Sequence, residues 1–288
     1  VISRRVMLRS IKRLYEWARN DPVDEELRGW SWDRPPVKPR AYLGLTVSEV
    51  AYRYCPVRRD IWLRRKLGVK PLENDVMFRG RILHEALNHA YRHALKYMVN
   101  GEPGWLIYER IYGRWRDLVS KYKLNGELVG VVERIYKSAL ITILGEYEYE
   151  SSVNGGYSPP VLISEYRVDG TPLGLASGLS IDALAEKVII DYKFGAPRDF
   201  HKLGLAGYAL ALEAEYEIPY DYGIIVYVME RGNGFKITYK PVYISNNLRR
   251  LFLEERDNII DMLLEDREPQ PDPSCPENCP YRRYCIGR

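Results

Sequence analysis

The order of textures along the chain predicts an α/β fold: a mixed sheet flanked by helices, preceded by a helical N-terminal region and followed by a cysteine-bearing tail. Three observations carry this. Residues 79–150 hold helical periodicity with few interruptions, and residues 161–244 hold short alternating or buried apolar runs broken by one helical stretch. Residues 267–288 are proline-rich, poor in apolar side chains and rich in cysteine. Four segments follow: a basic extension (1–45), a mainly helical region carrying Cys55 and His84 (46–160), a sheet-bearing core (161–266) and the tail (267–288).

The elements follow in order. Residues 1–20 read as a basic amphipathic helix. The three prolines of SWDRPPVKPRA (31–41) predict an extended connector, because proline fixes φ and removes a donor. Thr46 and Glu49 have capping-box spacing, opening a helix that leads into Tyr54 and Cys55. Leu83, Leu87, Ala90, Ala94 and Met98 recur at helical spacing and predict a helix over 79–98. Further helices are expected at 105–121 and 126–150, then a loop at 151–160. VLISEYRV (161–168) alternates as a strand, and LGLASGLSIDAL (173–184) is a strand with a glycine bend. KVIIDYKF (187–194) is a buried strand, 199–217 a helix, and 221–230 a strand. That last strand pairs with GFKITYKPVYI across Gly232-Asn233-Gly234. A helix over 246–266 closes the core.

Hydrophobic residues at 46% and charged residues at 28% describe a soluble globular chain. They exclude collagenous, low-complexity and disulfide-dense classes. Apolar runs such as Ile224–Val226 are too short to cross a bilayer, so no membrane association is expected. The arginine-interrupted N-terminus does not read as a secretory signal, which implies a cytoplasmic location. A single glutamine, Gln270, among many Lys, Arg and Glu leans towards a hyperthermophile. The net charge of +4 matters less than its distribution. Residues 1–20 carry six cations against Glu16, and residues 53–70 carry Arg53, Arg58, Arg59, Arg64, Arg65, Lys66 and Lys70 against Asp60. Such runs are either solvated faces or phosphate-binding surfaces, with Arg58, Arg59, Arg64 and Arg65 the candidates for nucleic-acid contact.

The four cysteines are Cys55, Cys275, Cys279 and Cys285. Three crowd the tail as C-x3-C-x5-C, and short loops bring such thiolates together at little entropic cost. Two disulfides and a structural zinc are alternatives, although zinc ligands usually come as two close couples. An iron–sulfur cluster held by all four thiolates, of four-iron or two-iron type, fits the 1+3 split best.

Asp182 and Asp191 lie on consecutive strands joined by a tight turn near Ala185–Lys187, which can set the carboxylates side by side. Asp191 and Lys193 are two apart and share a strand face. Two carboxylates and a lysine suit a hard divalent cation and an activated water. A turn-capping Asp182 and a surface Asp191–Lys193 ion pair are the plainer alternative. His84 sits at the edge of the apolar stripe of 79–98, either structural or a ligand. His89 and His93, four apart, lie on the opposite flank and could clamp a metal or simply face solvent.

In this order, Cys55, Gly80-x3-His84, Asp182, Asp191-x-Lys193, Tyr208 and the late cysteine trio resemble the RecB-type nucleases. Over residues 46–288 the set is most similar to the CRISPR-associated iron–sulfur exonucleases, the fourth Cas family, in its archaeal Csa form. The resemblance implies a restriction-endonuclease-like core of the PD-(D/E)xK class over 161–266. It implies that His84, Asp182, Asp191 and the backbone carbonyl of Tyr192 hold Mg or Mn. Lys193 would then orient the water, and Tyr208 would match the tyrosine of the family's Q-x3-Y step. It also implies single-stranded DNA as substrate, CRISPR integrase proteins as partners, and processing of spacer precursors in adaptation. Two departures stand out. Gly204 replaces the glutamine of that step, with His201 or Lys202 able to reach its space, and the cysteine trio is one residue longer than usual. The second function class is therefore a non-catalytic iron–sulfur DNA-binding subunit of a CRISPR adaptation complex. An electron carrier is a third, but it leaves the acidic set idle.

Overall fold

The computed structural model describes residues 2–155, 162–232 and 234–286. In chain order the helices before the sheet are α1 (Arg4–Lys12), α2 (Tyr15–Asn20), α3 (Val47–Ala51), α4 (Arg59–Leu67), α5 (Asp75–Met98), α6 (Gly104–Ile111), α7 (Trp115–Tyr122) and α8 (Gly126–Asn154). The strands follow as β1 (Leu162–Val168), β2 (Leu179–Ala185) and β3 (Val188–Phe194). Next come α9 (His201–Tyr216), β4 (Tyr222–Arg231), β5 (Gly234–Tyr243), α10 (Asn246–Leu264) and α11 (Arg282–Cys285).

The sheet order is β1-β2-β3-β4-β5. The β1–β2, β2–β3 and β4–β5 pairs are antiparallel, and β3 and β4 run parallel with α9 as the crossover. Each face of the sheet buries its own core. One core joins Val50 of α3, Leu63 of α4, Leu210 of α9 and Phe252 of α10 to Ile189 and Ile225 of the sheet. The other joins Met7 of α1, Leu83 of α5, Ile107 of α6, Leu118 of α7 and Leu140 of α8 to Ile190 and Val226. A sheet covered on both faces explains why β3 and β4 read as continuous apolar runs rather than alternating ones.

Several expectations shift. Residues 1–20 form two helices, so that Met7 and Ile11 bury while Tyr15 packs on Tyr222, 5.5 Å between rings. The stretch 105–121 breaks at Tyr112–Arg114, where Gly113 is a poor helix former. Helix α8 runs four residues into the expected loop. Residues 156–160 of that loop, the first residue of the 161–168 strand and Asn233 of the hairpin turn lie outside the described residues. Of 173–184, only the part from Leu179 is strand.

Residues 21–45 are built into the body rather than standing off as an extension: Leu27, Val37 and Leu45 are fully buried. Arg28 and Arg249 both grip the fully buried Glu213 of α9 at 2.7–2.8 Å. Gly29 is required there, since an added Cβ would lie 1.9 Å from the Leu210 carbonyl oxygen. Among the described residues, no helix is long and apolar enough to cross a membrane.

Candidate active site

The acidic pair is positioned by a hairpin whose pairing runs out where it is needed. Strands β2 and β3 are joined through Glu186, at φ 55, and Lys187, and are paired from Ala185↔Val188 to Ala183↔Ile190. One step further the strands part. There the Asp182 Oδ2 accepts the Tyr192 N–H at 2.7 Å, in place of a strand carbonyl. Asp191 follows Ile190 on β3 and is 4% exposed. Lys193, two residues on and on the same face, donates from Nζ to Asp191 Oδ1 at 2.7 Å.

The other oxygen, Asp191 Oδ2, is buried and has no hydrogen-bond partner. A carboxylate so placed is costly to ionise. Burial, with Asp182 close by and in spite of Lys193, pushes the Asp191 carboxyl up to about 7. His84 reaches in from α5, its Nδ1 3.6 Å from Asp182 Oδ1 and its ring edge-on to Phe194 at 5.0 Å. Asp182, Asp191, His84 and Lys193 thus meet at the end of β3. Tyr192 itself points its buried ring into the other core.

An aromatic wall not anticipated from sequence closes the far side. The Lys193 ammonium lies 4.7 Å from the Tyr52 ring centroid. Tyr52, Tyr54, Phe200 and His201 pack edge to face at 5.0–6.2 Å. His201 Nδ1 accepts from the Arg198 N–H at 3.4 Å and faces Tyr227 Oη at 3.3 Å, which leaves Nε2 to meet Tyr54 Oη at 3.4 Å. Tyr208 of α9 joins the same cluster. Burial, then Tyr52, Asp191 and Asp182, raises its phenol well above the usual range. The space opened by Gly204 is taken by Tyr52, not by His201 or Lys202: a Cβ at 204 would lie 2.8 Å from Tyr52 Oη. Nothing marks Tyr52 in a chain with 24 tyrosines. Beside the acidic end of β3, a cavity of about 220 Å³ opens between Gly80 and Leu83 of α5 and Phe194, Gly195 and Phe235.

Of the four candidate phosphate-binding arginines, Arg58 and Arg59 are buried in the fold, whereas Arg64 and Arg65 are exposed while also bonded to it. Arg58 is buried at φ 61 and donates to the Glu49 and Val50 carbonyls and to Glu255. Arg59, also buried, bonds the Pro269 carbonyl and pairs with Glu268 at 2.6 Å. Arg64 donates to Tyr281 Oη at 2.9 Å, and Arg65 pairs with Glu49. Their partners lie up to 217 residues away, so proximity in sequence does not reveal which of these cations the fold uses. The cations Arg5, Arg9, Lys12, Arg13 and Arg19 are exposed.

The cysteines converge. Cys55 lies in the turn before α4, where its carbonyl accepts the Arg58 N–H at 3.1 Å. It lines a cavity of about 90 Å³ with Cys275, Cys279 and Cys285. All four thiols are free. Burial and the neighbouring thiols, Cys279 foremost, push Cys275 up to about 11, as crowded sulfurs require. The tail is held independently by Leu72 N–H to the Pro280 carbonyl, by Asn74 Nδ2 to the Asn278 carbonyl at 2.7 Å, and by buried Tyr281.

A mixed sheet between helical layers, with two carboxylates and a lysine at the parting of two central strands, defines a restriction-endonuclease-like α/β protein. The family model described as CRISPR-associated exonuclease Csa1 matches residues 1–288. A protein of that name from Thermoproteus tenax is 37% identical over 273 residues, 91% of each chain. Another from Saccharolobus solfataricus is 29% identical over 288 residues, 97% of each chain. This chain belongs to the Csa1 family of CRISPR-associated exonucleases. The solved structure of SSO0001 overlaps 60% of this chain and 80% of its own at 19% identity, with a TM-score of 0.28, too low to carry an argument.

Proposed function

We propose that this chain is a metal-dependent DNA exonuclease whose site is Asp182, Asp191, Lys193 and His84. The observation that carries the reading is the buried, unpartnered Asp191 Oδ2, set against Asp182 and beside the half-buried Lys193. An orphaned carboxylate oxygen among further oxygen and nitrogen donors fits a hard divalent cation. Asp182, Asp191, His84 and the Tyr192 carbonyl would hold Mg or Mn, which when bound supplies charge neutralisation at phosphate and acidifies water.

The chain's own groups do the rest. Asp182 is oriented by the Tyr192 N–H and Asp191 by Lys193, so neither carboxylate has to be organised when substrate arrives. Lys193, kept cationic by Asp191, offsets charge developing on the phosphate. The Tyr52 face and the Asp191 carboxylate hold its ammonium between them. The aromatic wall, with Tyr54 exposed, offers ring faces to unpaired bases, which favours single-stranded DNA. The exposed basic face of α1, with the exposed Arg64, Arg65 and Lys70 of 53–70, is the surface offered to backbone phosphates. Four convergent thiols fit an iron–sulfur cluster whose role is to bind the tail to the Cys55 turn. Spacer-precursor processing beside the CRISPR integrase is the cellular role consistent with the family.

The test uses end-labelled single- and double-stranded DNA with Mn or Mg, against chelator and Asp191→Ala. Expected are nucleotide-by-nucleotide loss from single strands, abolition by chelator and abolition in the variant. Lys193→Ala should keep metal binding and lose turnover. Equal residual cleavage in wild type and Asp191→Ala would assign the activity to a contaminant and leave a DNA-binding subunit.

A further inference from the structure

A second group of metal-ligating side chains lies on the far side of the helix that carries His84. His89 and His93 follow His84 by five and nine residues, which rotates them by roughly 140° and 180° about the α5 axis. They therefore turn from the sheet towards α7, where Asp117 meets them. Single ligand atoms of His89, His93 and Asp117 lie within 4.8 Å of one another.

Both rings are prepared as ligands. His93 Nδ1 is 3.1 Å from the His89 carbonyl oxygen, which can only accept. That nitrogen is therefore the donor, and Nε2 carries the lone pair. A backbone-anchored imidazole of this kind is the usual support of a metal-binding histidine. The His89 ring stands at 75° to it, centroids 4.1 Å apart, and its Nδ1 is buried with no hydrogen-bond partner. Burial and the neighbouring ring keep His89 neutral in neutral solution. Asp117 is exposed and shares only Oδ2 with Arg114, at 3.3 Å. Its other oxygen is available.

We propose that His89, His93 and Asp117 form a second divalent-metal site that clamps α7 to α5. Two imidazoles and one carboxylate select zinc-like ions over magnesium. A tetrahedral ion with bonds of about 2.0–2.1 Å sets its ligands roughly 3.3 Å apart, so the side chains close in by about 1.5 Å at most. The exposed Asp117 supplies that movement. Three protein ligands leave one position for water. Arg92 and Arg114 add positive charge beside the site, so it binds more weakly than a four-ligand structural zinc. The ion would fix the outer face of α5, the helix that presents His84 on its inner face.

The test is zinc content per chain, by mass spectrometry, after equilibration with zinc and dialysis of the cluster-loaded protein. Wild type is compared with His93→Gln, with the exposed and fold-neutral Asp117→Asn, and with Asp191→Asn to account for the nuclease site. Expected is loss of one zinc in His93→Gln and in Asp117→Asn, its retention in Asp191→Asn, and loss of the zinc-dependent rise in thermal midpoint in the first two only. A cobalt-substituted sample should show a tetrahedral absorption band that His93→Gln lacks. Wild-type zinc content in either folded variant, His93→Gln or Asp117→Asn, overturns the site.

Discussion

Binding of manganese should release protons in a pH-dependent way, and Asp191 sets the numbers. Its carboxyl is raised from 3.8 to about 7, by burial first and by Asp182 second. A cation needs the ionised form. At pH 6 about 0.9 of a proton must leave on binding, and at pH 8 about 0.1. Apparent affinity should therefore strengthen about tenfold from pH 6 to pH 8, roughly 1.4 kcal/mol. Calorimetric titration with Mn in buffers of different ionisation enthalpy reads the proton count directly, and Asp191→Asn should lose both the release and most of the affinity. The sign in metal-free protein is fixed by the same group. A carboxyl whose folded value exceeds its unfolded one stabilises fully below pH 3.8, and that contribution is lost as pH rises through about 7. His89 and His201, held at about 4 by burial, act in the opposite sense, gaining stability up to about 6.5. Wild type must therefore be read against Asp191→Asn. Equal proton release at pH 6 and pH 8 would refute the reasoning, because the buried Oδ2 would then not be the metal's ligand.

Three further outcomes follow from the packing. Gly204→Ala places a Cβ 2.8 Å from Tyr52 Oη; it should cost about 1–3 kcal/mol in guanidinium unfolding and lower turnover more than DNA affinity. Arg249→Met leaves the fully buried Glu213 short of its main partner and should cost about 3–5 kcal/mol, seen as a fall in the denaturation midpoint that Glu213→Gln in the same chain partly restores. Cys55→Ala should yield protein with less iron and paler colour, and limited proteolysis should cut residues 267–286 faster than in wild type.

What was legible in the sequence is what local chemistry or scarcity dictates. The capping box of α3 forms as its spacing requires, Thr46 accepting from the Glu49 N–H and Glu49 bonding back. Four cysteines among 288 residues had few ways to be used, and the structure brings all four to one cavity. The Asp182–Asp191 juxtaposition follows from counting residues around a two-residue turn. What failed was non-local. Arg58 reads as one of a phosphate-binding run until Glu255, 197 residues away, is brought beside it and takes it into the interior. The prolines of 31–41 predicted an extended connector, but the segment is a run of turns, Arg34 N–H to the Ser31 carbonyl and Lys38 N–H to the Arg34 carbonyl, and no local pattern says that it carries Val37 into a core. Tyr52 was invisible because its role depends on the absence of a side chain at Gly204, 152 positions later in the chain.

That same residue explains why a cysteine tail matters to the acidic site. Tyr52 touches the Lys193 ammonium, Tyr54 packs on Phe200 and meets His201, and Cys55 belongs to the thiol cavity. From Tyr52 to Cys55 is three residues, a span of at most about 11 Å. Arg53 within the segment and Arg58 just beyond it both hold Glu255 of α10, at 2.7 and 2.8 Å. The thiol cavity and the aromatic wall thus share one short, α10-anchored stretch of chain. The tail has few apolar side chains of its own, so the proposed cluster joining it to Cys55 would add to the hold that Leu72, Asn74 and Tyr281 already give. In the proposed enzyme the cluster then acts on cleavage by fixing the wall behind Lys193. No electron has to move for its loss to lower turnover.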